Sequence, residues 1–148
     1  MVIRMMKKHL RYLGFISAIL SITYILIGVI EIANTFVSFI PLLILPGDLM
    51  GGFVSITIGL IFAYGIKELY RGDYMGLSFI LVGLIMAIMF AGLYTLILIA
   101  DAVECYILGN EDFAGWTILD DLRIELVLGW ILLPLLLWLK AQLSSNAE

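Results

Sequence analysis

Long stretches without a single charge set the outline of this chain. Residues 12–30, 49–66 and 74–100 hold no Asp, Glu, Lys or Arg, and 126–139 is a shorter stretch of the same kind. A bilayer hydrocarbon core of ~30 Å takes about 20 apolar residues of helix. The pattern therefore predicts four spans, over about 12–34, 51–70, 74–100 and 122–140, with outer connectors 36–50 and 101–121. The predicted fold is an all-α integral membrane protein. It is a four-helix transmembrane bundle, up-down-up-down with a small outer cap, forming one transmembrane domain over residues 1–148.

Residues that break or cap helices punctuate this outline. Pro41 and Pro46 interrupt an apolar run between Phe36 and Met50, which predicts a broken extension of span one, a re-entrant piece or a surface connector. Asp48, with Gly47, Gly51 and Gly52, opens span two. Arg71-Gly72-Asp73 reads as a tight turn with Asp73 as the next N-cap, and Gly109-Asn110 as a helix stop. Phe113, Trp116 and Leu119 stand at helical spacing and predict a short helix on the outer surface. Asp120 or Asp121 is expected to cap span four, and Pro134 to kink it. Spans one and three open alike, with Arg11-Tyr12-Leu13-Gly14 and Asp73-Tyr74-Met75-Gly76, a hint of two duplicated hairpins.

Composition narrows the function classes. The chain is 64% hydrophobic and 14% charged, where a soluble domain carries about 25% charged residues. Four spans in 148 residues leave no room for a separate soluble domain. One cysteine, Cys105, and one histidine, His9, cannot make an intrachain disulfide, a Cys-x-x-Cys pair or a bis-histidine haem site. The sequence offers no nucleophile–base set, no His/Cys metal cluster and no glycine-rich phosphate loop. A non-enzymatic protein is expected, with no cofactor, no metal and no nucleic-acid partner. The first apolar stretch exceeds the usual core of a secretory signal and is read as retained.

Charge fixes the expected topology. Arg4, Lys7, Lys8, Arg11, Lys67, Arg71 and Lys140 fall on one side of the four-span scheme, and only Arg123 falls on the other. Short loops rich in Lys and Arg stay in the cytoplasm. This predicts a multi-pass protein of the cell membrane with both termini cytoplasmic. Nine of the twelve acidic residues lie on the opposite side or just inside it. Arg4, Lys7, Lys8 and Arg11 recur at helical spacing, which suits contact with lipid headgroups as well as ordinary flanking of a span.

Two patterns carry candidate chemistry. Gly14, Ser17, Ser21, Tyr24, Gly28, Glu31 and Thr35 alternate by three and four residues along one face of span one. In lipid, small residues let backbones approach and hydroxyls bond across the contact, so this seam predicts helix packing first and a polar track to Glu31 second. Gly51, Ser55, Gly59 and Ala63 in span two, and Gly83, Ala87, Ala91 and Thr95 in span three, form further small-residue faces. The second pattern is acidic. Glu31, Asp101, Glu104 and Glu125 sit towards the outer ends of their spans and are candidates for an ion or proton site, with Asp48 and Arg123 near by. The competing expectation is that these carboxylates reach the outer headgroups and water.

Small size, four spans and a glutamate in span one, Glu31, resemble the small multidrug exporters. That resemblance carries over no residue role beyond an analogy for Glu31. It departs from them in its longer chain, its one-sided charge and the placing of Glu31 near the outer end. The leading expectation is a non-enzymatic subunit or scaffold, working as a homo-oligomer or with a membrane-complex partner in the lipid bilayer. The alternative is a small cation- or proton-coupled transporter using the outer-half carboxylates.

Overall fold

A computed structural model describes residues 2–37, 47–73 and 75–145, with side chains described over 10–37, 47–73 and 75–141. The helices are α1 (Val2–Val37), α2 (Leu49–Arg71), α3 (Met75–Val103) and α4 (Ile124–Ser145). Among the described residues, four helical segments are long and apolar enough to cross a membrane: Leu10–Val37, Leu49–Arg71, Met75–Leu108 and Ile124–Ala141. Helix α1 is continuous through the basic N-terminal segment, which is thus the start of the first span's helix. Arg11 is exposed; the side chains of Arg4, Lys7 and Lys8, the stretch 38–46 with its two prolines, and the tail 146–148 lie outside what is described.

Helix ends follow from the capping residues. The Asp48 carboxylate accepts from the Gly51 amide at 3.0 Å and starts α2. Gly72, at φ 79°, closes α2 in the left-handed conformation, its amide bonded to Leu69 O at 3.0 Å. The Met75 amide then bonds to Asp73 Oδ1 at 3.0 Å and opens α3. Beyond Val103 the helix widens into a π-helical turn, Glu104–Leu108, and ends at Gly109 with φ 60°.

The outer connector departs from expectation. In place of a surface helix through Phe113, Trp116 and Leu119, only a single 3-10 turn forms, Glu111–Phe113, capped by Asn110. Carboxylates hold this connector by accepting from one backbone amide and from two side-chain donors. Asp120 Oδ2 accepts from the Thr117 amide at 2.7 Å and its hydroxyl at 3.0 Å, and Asp121 Oδ2 accepts from the Trp116 indole at 2.7 Å. With both carboxylates engaged there, neither Asp120 nor Asp121 caps α4, which begins at Ile124. Helix α4 runs on through Pro134.

Successive helices pack antiparallel, α1 on α2, α2 on α3 and α3 on α4. One buried cluster joins all four: Leu10, Leu13 and Tyr24; Ile58, Phe62 and Leu69; Ile80, Leu84 and Ala87; Leu132 and Leu139. Small residues set the approach. A Cβ placed on Gly52 would lie 2.7 Å from Gly28 O, and one on Gly59 would lie 2.9 Å from Ser21 O, so α1 and α2 touch backbone to backbone. A Cβ on Gly129 of α4 would come within 2.6 Å of Ala87 O on α3. Ser17 Oγ donates to Phe62 O at 2.8 Å across α1 and α2. The outward surface is apolar, with Phe15, Ile22, Met89, Leu96, Ile131 and Leu137 more than half exposed. That is the face a bilayer solvates.

Candidate functional site

The seam on α1 turns inward for most of its length. Gly14, Ser17, Ser21, Tyr24, Gly28 and Glu31 are buried, whereas Thr35 is exposed. Thr35 leaves the seam because its hydroxyl bonds to Glu31 O, one turn back on its own helix, at 2.9 Å. Asn34 is buried at that level instead.

Glu31 does not reach water. It is 0% exposed and Glu125 is 4% exposed, which overturns the expectation that both extend to the outer surface. The reason is geometric. Helix α1 continues past Glu31 to Val37, and the starts of α2 and α4 close over it. Glu31 on α1 and Glu125 on α4 are neighbours that act on each other's charge. Ser55 of α2 donates to Glu125 Oε1 at 3.3 Å. Both oxygens of Glu31, Oε2 of Glu125 and the hydroxyl of Tyr24 are buried without a hydrogen-bond partner among the described residues.

A second layer covers this pair on the outer side. Arg123 pairs with Asp48. Its guanidinium carbon stands 4.7 Å from the centre of the Tyr94 ring. The Tyr94 hydroxyl lies 3.5 Å from both Asp48 Oδ2 and Arg123 Nη1, accepting from the arginine and donating to the carboxylate at the long limit of a hydrogen bond. Burial pushes the Asp48 carboxyl up, but the Gly51 amide and the Arg123 guanidinium outweigh that and hold it below the usual carboxylate range. Burial likewise works against the charge on Arg123, and Asp48 more than offsets it. Gly51 makes room, since a Cβ there would fall 2.6 Å from the Tyr94 hydroxyl and 2.8 Å from Asp48 Oδ2.

The four candidate carboxylates thus divide. Glu31 and Glu125 meet inside the bundle. Asp101 and Glu104 do not join them; Asp101 lies beside Asp121 and Glu104 at the outer end of α3, and Asn110 Nδ2 donates to Glu104 Oε2 at 3.2 Å. The π-helical turn and the outer connector hold these acids apart from the buried pair. Sequence spacing gave Ser55 only a packing role and gave Tyr94 none. A signal for Ser55 existed, because Asp48 and Ser55 are seven residues apart and so share a face of α2. Tyr94 stood in an apolar run with nothing to distinguish it. Among the described residues no three His, Cys, Asp or Glu side chains gather closely enough to hold a metal ion.

The profile of the MJ0565 integral membrane domain matches residues 7–141. This chain belongs to that family. It is 30% identical over 118 residues to the Methanocaldococcus jannaschii protein named "Uncharacterized protein MJ0565", covering 80% of this chain and 78% of that one. No solved structure matches it. The match takes in every residue of the site, from Tyr24 to Glu125, and all four spans as far as Ala141. As a member of the MJ0565 family this chain is an integral membrane protein.

Proposed function

We propose that this protein binds a proton or a small cation at the Glu31–Glu125 pair and couples that binding to transport across the membrane. One observation carries the proposal: among the described residues, four polar atoms on three buried side chains, Tyr24, Glu31 and Glu125, have no hydrogen-bond partner. A buried polar group left unbonded costs about 1–3 kcal/mol, and more when charged. Native folds leave few such groups, and inside a membrane an ionisable side chain points to a functional site by default. A proton shared between the two carboxyls supplies one of the missing bonds, and a cation set between them can take more than one of these oxygens. The oxygen-only surroundings, with Ser55 and Tyr24, suit a hard cation or a proton and give no soft ligand.

The rival is a non-enzymatic membrane subunit or scaffold. The small-residue faces, which could serve a tight bundle or an oligomer, are used within the chain, by Gly28 against Gly52 and by Gly129 against Ala87. We further propose that the protein lies in the cell membrane with both termini cytoplasmic, from the seven-to-one partition of Lys and Arg.

The test is a reconstituted liposome assay for proton and alkali-cation flux, with Glu31→Gln and Glu125→Gln as variants. Glutamine keeps shape and hydrogen bonding but cannot cycle a proton. Flux in wild type, lost at least tenfold in each variant while the protein stays monodisperse, is expected. Wild-type liposomes no leakier than protein-free ones to any of these ions would leave the subunit role in its place.

A further inference from the structure

Access to the buried pair is controlled by what lies above it. Asp48 caps the outer end of α2, and Arg123 stands one residue ahead of α4. Ser55, which bonds Glu125, is seven residues below Asp48, about 10 Å along the helix at ~1.5 Å per residue. Exposure falls in the same direction. The side chains of Asp48 and Arg123 are each 24% exposed, Glu125 is 4% and Glu31 is 0% exposed. The ion pair therefore occupies the boundary between outer water and the sealed carboxyls.

The cluster also ties together the three helices whose separation would open that boundary. Asp48 comes from the start of α2, Tyr94 from α3 and Arg123 from the start of α4. Asp48 and Arg123 are 75 residues apart in the chain, so their pairing is a tertiary closure. Arg123 is suited to it, because its planar fork meets a carboxylate while its face lies on an aromatic ring. Of the groups around it, Asp48 and Tyr94 hold Arg123 outward, whereas Glu31 attracts it from within. The contact is made of polar groups at the wet edge of the bundle. Contacts of that kind exchange partners more readily than a packed apolar core does.

We propose that the Asp48–Arg123–Tyr94 cluster is the outer closure of the Glu31–Glu125 site, with Arg123 as the positioning residue that holds α2, α3 and α4 shut over it. The closure rests on the carboxyl pair being a binding site, yet it is tested by access and not by transport. Ser55→Cys places a thiol beside Glu125, in a Cys105→Ser background. The purified protein is held in nanodiscs, where both faces are open to a cationic, water-soluble methanethiosulfonate. Labelling of Ser55→Cys is expected to be slow, and to quicken at least tenfold when Asp48→Asn or Arg123→Gln is added. Ser17→Cys, buried against α2, should stay unreactive in the same variants and so report an intact core. Unchanged labelling of Ser55→Cys with Ser17→Cys still protected overturns the closure. If either single variant exposes Ser17→Cys as well, the charge-swapped protein Asp48→Arg with Arg123→Asp decides. Restored protection at position 55 supports the closure, and continued fast labelling of the swapped protein rejects it. The two proposals fail separately: no flux in wild type with pair-dependent labelling removes transport and keeps the closure, whereas flux with labelling indifferent to the pair does the reverse.

Discussion

At the scale of single residues, the site sets stability against function. Glu31 is fully buried, and among the described residues neither of its oxygens has a hydrogen-bond partner. A buried polar group without a hydrogen bond costs about 1–3 kcal/mol, a cost that an apolar side chain of similar volume does not carry. Glu31→Leu should therefore raise the thermal midpoint in detergent or leave it unchanged, while removing any flux. A fall of several degrees would mean that Glu31 is bonded into the fold. Asp48 should behave oppositely. It caps α2 and pairs with Arg123. Asp48→Ala loses both roles and Asp48→Asn mainly the pair, which falls between exposed and buried ion pairs at about 1–3 kcal/mol; the cap adds ~1 kcal/mol. Because the carboxyl is held below its usual range in the folded protein, its contribution is whole above the ordinary aspartate value of ~3.9 and is lost as pH falls through the depressed folded value. The gap in thermal midpoint between wild type and Asp48→Ala should be constant from about pH 5 to 8 and close at lower pH. A gap that widened on acidification would contradict this charge state.

At the scale of helices, backbone contacts through glycine decide how closely elements approach. A Cβ on Gly28 would lie 2.7 Å from Ile56 Cγ1 and 2.9 Å from the Ile56 amide nitrogen, with no flexible tip to give way at the backbone. Gly28→Leu should push α1 from α2 and cost more than the 1–3 kcal/mol usual for overpacking. Gly92→Leu is the control, since nothing lies within 4 Å of a Cβ there. Loss of a monodisperse peak in the first variant and its retention in the second is the expected outcome of gel filtration in mild detergent. Equal behaviour of the two would deny the close crossing. The heptad spacing of span one made this face legible in sequence from Gly14 to Glu31. It did not show that Thr35 would satisfy its hydroxyl on its own helix and face outward. Nor did the helical spacing of Phe113, Trp116 and Leu119 show that Asp120 and Asp121 would bind the connector and prevent a helix there.

At the scale of the whole molecule, the proposed topology rests on the partition of charge and is open to direct measurement. Arg71 and Asp112 are exposed at opposite ends of the bundle. Both are better probe positions than Gly72 and Gly115, whose φ values of 79° and 94° strain any other residue. In a Cys105→Ser background and intact cells, Asp112→Cys should react with an impermeant maleimide and Arg71→Cys only after lysis. Labelling of Arg71→Cys from outside would invert the proposed orientation.

The chain's own pattern determined the membrane, the four spans, their alternating direction and the turn at Arg71–Asp73. Those features depend on local causes, namely runs of apolar residues long enough for a bilayer, and Asp and Gly at positions where helix ends need caps. Only tertiary structure decided which polar residues meet. Sequence depth placed Glu31, Asp101, Glu104 and Glu125 at similar levels, but depth carries no information on rotation about the helix axis or on which helix stands opposite. The close α1–α2 crossing and the one core shared by all four helices turn Glu31 and Glu125 together, and the outer connector draws Asp101 and Glu104 away. The link between Asp48 and Arg123 spans 75 residues of sequence and exists only because α2 and α4 begin at the same end of the bundle. Burial of Glu31 has the same origin, since a side chain is sealed by its neighbours and not by its place in the chain.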